Sequence, residues 1–180
     1  MSDYITNRAW SDQFLPEIKS ILEAHFSGHK FVEGDIDEDR NECCDLKSMS
    51  DNLIISLRVR ASKFYPKCIN EILLSEKLNK KAEIEKIVEG YSRYYFYGFS
   101  HESDIKLVAW RIYDLNVFRL GVYNYLINNQ GILPGIVDHK TNDPNSLFRI
   151  IDTNIFQNIK VVEYTTNKYN PIRIPSTQIK

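Results

Sequence analysis

The sequence predicts a single α/β (α+β) domain in which helices flank a central mixed β-sheet. Three observations carry that reading. An amphipathic helical pattern at 11–26 precedes a hairpin. The strongest strand signals, "YYFYGFS" (94–100) and "IKLVAWRIYDL" (105–115), follow a second helical pattern. Helices and strands alternate without the regular βαβ repetition of a doubly wound fold. The 180 residues suffice for one domain with a sizeable core, and no repeat or linker divides them.

"SDQFLPEIKSILEAHF" (11–26) is the first helix, with Ser11 or Asp12 as its N-cap and Pro16 tolerated in the first turn. At about 100° per residue, Phe14, Ile18, Ile21, Leu22 and His25 share one face. Glu17 flanks that stripe, Glu23 points away from it, and His25 reads as a core histidine rather than a ligand. Residues 27–42, "SGHKFVEGDIDEDRNE", form a polar acidic loop. Its "DIDEDRNE" lacks the glycine and the distal glutamate of a calcium loop and reads as solvated.

Asp45 then opens a short apolar segment, "SDN" (50–52) turns the chain, and "NLIISLRVR" (52–60) is a strand. Leu53, Ile55, Leu57 and Val59 point one way; Ile54, Ser56, Arg58 and Arg60 point the other, toward a groove or solvent. "NEILLSEK" (70–77) is another short strand. "NKKAEIEKIVEGY" (79–91) is a helix stopped by Gly90, with Ile84, Ile87, Val88 and Tyr91 as its buried stripe. Glu83 borders that stripe and Lys86 follows one turn later on the same flank. A turn at "HESD" joins the two aromatic strands. "NVFRLGVYNYLINN" (116–129) is a short helix, and "LFRIIDTNIFQN" (147–158) is a strand running into a turn or short helix. The "KYNPIRIPSTQIK" tail, with two prolines, is extended or frayed.

Composition excludes several classes. Hydrophobic residues at 43% and charged residues at 26% are ordinary for a globular chain and argue against disorder. A net charge of -1 argues against a generic polyanion binder but leaves room for a local basic patch. No apolar run approaches the roughly 18–20 residues that span a bilayer, and "MSDYITNRAW" is no secretory signal. A cytoplasmic protein without a membrane partner is therefore expected. Cys43, Cys44 and Cys68 make neither a disulfide framework nor a zinc site, and the four histidines are scattered.

Asp45, "LRVR" (57–60), "AEIEKI" (82–87), "YYFYGF" (94–99) and "WRIYDLNVFR" (110–119) together resemble the divergent, largely phage-borne members of the PD-(D/E)xK nuclease superfamily. The resemblance covers about residues 11–119 and leaves 120–180 as a C-terminal extension. It implies a restriction-endonuclease-like core: a helix, then a hairpin with a metal-binding Asp on one strand and an acidic-x-Lys element on the next. A second helix packs across the sheet and in some members supplies a migrated acid or lysine. Two positions depart from the pattern. Cys44 stands where a proline precedes the Asp. Ser56-Leu57-Arg58 replaces acidic-x-Lys, so a carboxylate is lost and an always-charged arginine, unable to deprotonate water, replaces the lysine.

Carried onto this chain, the resemblance implies Asp45 and Glu83 as ligands of Mg²⁺ or Mn²⁺, which lowers the pKa of a bound water and neutralises charge on the phosphorane-like transition state. Lys86 would position or deprotonate that water, and Arg58 would grip the scissile phosphate. Arg60 would hold the DNA backbone, and Tyr94 or Tyr95, facing opposite ways, would stack on a base. The first helix offers Glu17 as a further acid. Each residue also has a plainer reading. Asp45 is a turn or capping residue, Ser56, Arg58 and Arg60 are a solvated sheet face, and Glu83 with Lys86 is a helix-surface ion pair. Two expectations follow: a metal-dependent deoxyribonuclease of phage or mobile-element origin, or a nuclease-like accessory protein without catalysis that binds nucleic acid or a host or phage protein.

Overall fold

The structure is a computed structural model and describes residues 9–35, 44–61, 71–77, 83–100, 105–140 and 143–165. Outside the described residues lie residues 36–42 of the acidic loop, Cys43, Cys68, the "HESD" turn, the start of the second helix and the C-terminal tail. The elements run α1 (Leu15–His25), β1 (Phe31–Glu33), β2 (Leu46–Ser48), β3 (Ile54–Ala61), β4 (Glu71–Lys77), α2 (Glu83–Glu89), β5 (Tyr94–Ser100) and β6 (Leu107–Asp114). They continue with α3 (Leu115–Asn128), β7 (Ile136–Lys140), β8 (Asp143–Asp152), a 3-10 turn (Thr153–Ile155) and β9 (Lys160–Thr165).

The mixed α/β class with a central mixed sheet stands. That sheet has six strands in the order β1-β2-β3-β5-β6-β9. β3 and β5 are parallel, with Ile55 beside Tyr94 and Arg58 beside Tyr97, and the other pairings are antiparallel. A parallel pair needs a crossover connection, and the chain between β3 and β5 supplies it through β4 and α2. β4 leaves the main sheet altogether. It pairs with β8, more than seventy residues on by numbering, in a second, antiparallel sheet ordered β4-β8-β7.

Alternation sorts the main sheet's side chains onto two covered faces. On one, Ile55, Val59, Phe96 and Ile112 pack on Phe14, Ile18 and Leu22 of α1. On the other, Tyr95, Tyr97, Phe99 and Tyr113 pack beneath Ile72 and Leu74 of β4, Ile84 and Ile87 of α2, and Phe118 and Val122 of α3. Fully burying one such apolar side chain contributes about 1.5–3 kcal/mol, so both layers are energetically substantial. The expected groove or solvated face along Ser56, Arg58 and Arg60 is thus corrected: the second sheet and α2 cover it.

Local details refine several expectations. Pro16 does sit in the first turn of α1, but the N-cap is Phe14, without a side-chain cap, rather than Ser11 or Asp12. His25 is exposed rather than buried in the core. Gly90 ends α2 at φ +94°, the left-handed geometry expected of that glycine. Val88 and Tyr91 are exposed: of the described α2 residues Ile84 and Ile87 meet the core, and Tyr91 lies past Gly90. Arg119 of α3 then donates to the carbonyls of Ile87, in the last turn of α2, and of Ser92, just beyond it. Asp114 caps α3 by accepting from the amides of Asn116 and Val117.

Candidate functional site

The main sheet places Arg58, Tyr97, Arg111 and Glu163 abreast on β3, β5, β6 and β9, all on the face beneath the second sheet. Into this polar row α2 lowers Glu83. Its Oε2 accepts from Arg58 Nη2 at 2.5 Å, from the Ser75 amide at 3.0 Å and from Ser75 Oγ at 3.1 Å. Its Oε1 accepts from the Tyr95 hydroxyl at 3.0 Å. Arg60 donates from Nη2 to the Leu73 carbonyl at 3.2 Å and lies against the Tyr97 and Phe148 rings.

Strand geometry explains this arrangement. β4 is an edge strand of its sheet, so alternate residues present an amide and a carbonyl away from β8. Arg60 takes the Leu73 carbonyl and Glu83 takes the Ser75 amide. The side chains of the main sheet's face therefore close the open edge of the second sheet, one of the ways a strand edge is protected.

The electrostatics follow. Burial alone would raise the Glu83 pKa, but the Arg58 charge and the hydrogen bonds from Arg58, Ser75 and Tyr95 outweigh it and hold the pKa at about 2. The Glu83 charge in turn raises the Arg58 pKa well above its ordinary value, against the effect of burial. Burial, followed by the neighbouring Glu83 carboxylate, pushes the Tyr95 phenol up, so Tyr95 stays a donor.

Of the residues expected at the site, Arg58, Arg60 and Glu83 meet in this cluster. Asp45 precedes Leu46 on β2 and accepts from the Leu57 amide through Oδ2 at 2.8 Å, extending the hairpin ladder past the end of β2. Lys86 is half-buried on α2, one turn beyond Glu83. Tyr94 belongs to the opposite face: its ring lies 4.8 Å from that of Phe26, with the Arg93 guanidinium 5.0 Å from it. Arg60 and Tyr94 are therefore not brought together. Glu17 is also on the α1 side, where it accepts from the Leu107 amide at 3.0 Å. Glu23 is bonded to Lys30.

The expected Asp45–Glu83 pair does not fit a catalytic Mg²⁺. Such an ion keeps several waters and draws on free carboxylate oxygens, whereas four donors already occupy the two oxygens of Glu83. Binding an ion there would release Arg58 or reopen the β4 edge. Among the described residues no group of three or more His, Cys, Asp or Glu side chains is placed to hold a metal. Sequence reasoning missed Ser75, Arg111 and Glu163, and offered Tyr95 only as an alternative to Tyr94 for stacking on a base. The signal for Tyr95 was its place in an adjacent tyrosine pair that faces opposite ways, which does not say which member lies on the Glu83 side.

No protein-family model matches this chain. No curated protein matches it, and neither does any solved structure. Among the described residues no helix is long and apolar enough to cross a membrane.

Proposed function

We propose that this protein is a nuclease-like accessory factor that acts by binding a partner protein rather than by cleaving DNA. The single observation that carries the reading is the saturation of Glu83. Four donors hold it, one of them an arginine that would otherwise be the phosphate grip. A restriction-endonuclease-like origin for the core is supported by the order of α1, the β2–β3 hairpin and α2, and by β5 returning parallel beside β3. In that setting the Ser56-Leu57-Arg58 departure and the migrated Glu83 have become one structural clamp.

A protein partner, from host or phage, is favoured over nucleic acid by the outer side of α3. Leu120, Tyr123 and Ile127, spaced i, i+3 and i+7, are each about three-fifths exposed. Beside them runs an open groove of about 490 Å³ whose lining, including Leu120, Gly121, Asn124, Asn128, Ile155 and Gln157, holds no charged side chain. An apolar ridge with amide groups beside it suits an uncharged helix or loop of a protein. A phosphate backbone would instead require basic residues there.

The test has two arms. Labelled single- and double-stranded DNA is incubated with the protein in Mg²⁺ or Mn²⁺, and no cutting is expected. Affinity capture is then compared between the wild type and a Leu120→Asp/Ile127→Asp variant. The reading expects one partner that the wild type retains and the variant loses. Metal-dependent cutting abolished by Asp45→Ala and by Glu83→Ala, with folding intact, would overturn it and establish a nuclease. DNA binding without cutting, unaffected by the α3 substitutions, would move the function to nucleic acid.

A further inference from the structure

We propose that the groove along α3 takes an extended, uncharged segment of the partner protein and reads its main chain through the side-chain amides of Asn124, Asn128 and Gln157. The inference rests on the proposed function, because it names what that surface binds.

The groove follows one stripe of α3. Val117, Gly121, Asn124 and Asn128 stand at i, i+4, i+7 and i+11 and share a face, and the segment 155–157 lines the rest. Helix and segment meet at Gly121, where an added Cβ would lie 2.3 Å from the Phe156 ring. The amides beside that contact are unspent. Asn129 already donates from Nδ2 to the Tyr125 carbonyl at 2.8 Å. Asn124, Asn128 and Gln157 are exposed, and among the described residues none of their side-chain amides has a hydrogen-bond partner. Each offers a donor and an acceptor together, the same pair that a peptide group offers.

Spacing selects the conformation of the occupant. Residues i and i+4 of a helix stand about 5–6 Å apart. An extended chain turns a peptide group to the same side every second residue, about 6.6 Å on. Asn124 and Asn128 therefore match successive same-side peptide groups, and Gln157 offers a third pair. From Val117 to Asn128 the helix rises about 16 Å, the length of about five extended residues. A partner helix has already satisfied its main-chain groups internally and leaves these amides to side chains alone. A charged peptide or a phosphate backbone would find no counter-charge in the lining. Leu120 and Ile155, both exposed, are left to meet apolar side chains, which an extended chain presents at alternate positions.

Panning a displayed library of random heptapeptides on the full chain tests this. Uncharged sequences with an apolar residue at every second position should be enriched. A synthetic copy of the enriched peptide, blocked at both ends, is then titrated by calorimetry. Asn124→Leu/Asn128→Leu keeps side-chain size at two exposed positions, so it should fold as wild type and bind at least about tenfold more weakly. Methylating one alternate set of backbone nitrogens in the peptide should cause a similar loss, and methylating the other set should not. No enrichment, an apolar pattern at i, i+3 and i+4, or equal affinity for wild type and the asparagine variant would overturn the inference. Peptides lost by Leu120→Asp/Ile127→Asp but kept by Asn124→Leu/Asn128→Leu would overturn it alone and leave the proposed protein-binding function standing.

Discussion

Replacing Glu83 with glutamine keeps the shape of the side chain and removes its charge, which isolates what the clamp contributes. The folded-state pKa of about 2, against an ordinary 4.5, corresponds to about 3 kcal/mol of preference for the ionised form. Breaking a buried ion pair costs about 3–5 kcal/mol. Arg58 keeps 36% of its side chain in solvent, so its abandoned charge is partly hydrated and the lower figure applies. For a chain of this length about 3 kcal/mol corresponds to a fall of about 6–12 °C in Tm. Urea unfolding of Glu83→Gln should therefore show a much lower midpoint at unchanged slope. The Arg58→Met/Glu83→Gln double variant should lose clearly less than the sum of the two single variants. Because the folded pKa lies below the unfolded one, the Glu83 contribution is complete above about pH 4.5 and disappears as pH falls through about 2. The wild type should lose stability across that window and Glu83→Gln should lose less. A Glu83→Gln midpoint within about 0.5 kcal/mol of wild type would refute the clamp.

Other expectations follow from single contacts. Asp45→Ala strands the Leu57 amide and should cost about 1 kcal/mol in urea unfolding, whereas Asp45→Asn keeps an acceptor and should stay close to wild type. Gly121→Ala should lower stability by about 1–3 kcal/mol by denaturant midpoint, although alanine is the better helix former by about 1 kcal/mol. The added Cβ would lie 2.3 Å from Cδ1 of the Phe156 ring. Leu120→Asp/Ile127→Asp should leave the unfolding midpoint within about 0.5 kcal/mol, since both side chains are exposed, while abolishing partner capture.

Much of the scaffold was legible because it is written in local periodicity. The inward residues of α1, the alternation along β3 and the aromatic runs of β5 and β6 each place a side chain without knowledge of the rest. The β1, β7 and β9 strands escaped notice because they are short or lie at sheet edges, where one apolar face is not demanded. The site was half legible. Arg58, Arg60 and Glu83 were picked out together, but alternation along β3 says only which residues share a face, not what covers it. The cover depends on β4 pairing with β8, a contact between segments about seventy residues apart that no local pattern announces. Glu163 illustrates the same limit, since its meaning comes from lying beside Arg111 across β6 and β9. The reverse error befell Val88 and Tyr91, which fit the periodic stripe yet remain exposed: Ile84 and Ile87 are the side chains of α2 that reach the core, and Tyr91 lies past Gly90, where the helix has ended.

The most direct test of the account is the titration of the Glu83 carboxyl carbon by ¹³C NMR, repeated with millimolar Mg²⁺. If Glu83 is the clamp described here, its carboxyl remains ionised until about pH 2 and its signal does not move when Mg²⁺ is added. A pKa near or above 4.5, or a Mg²⁺-dependent shift of that carbon, would contradict the account and return Glu83 to the role of metal ligand.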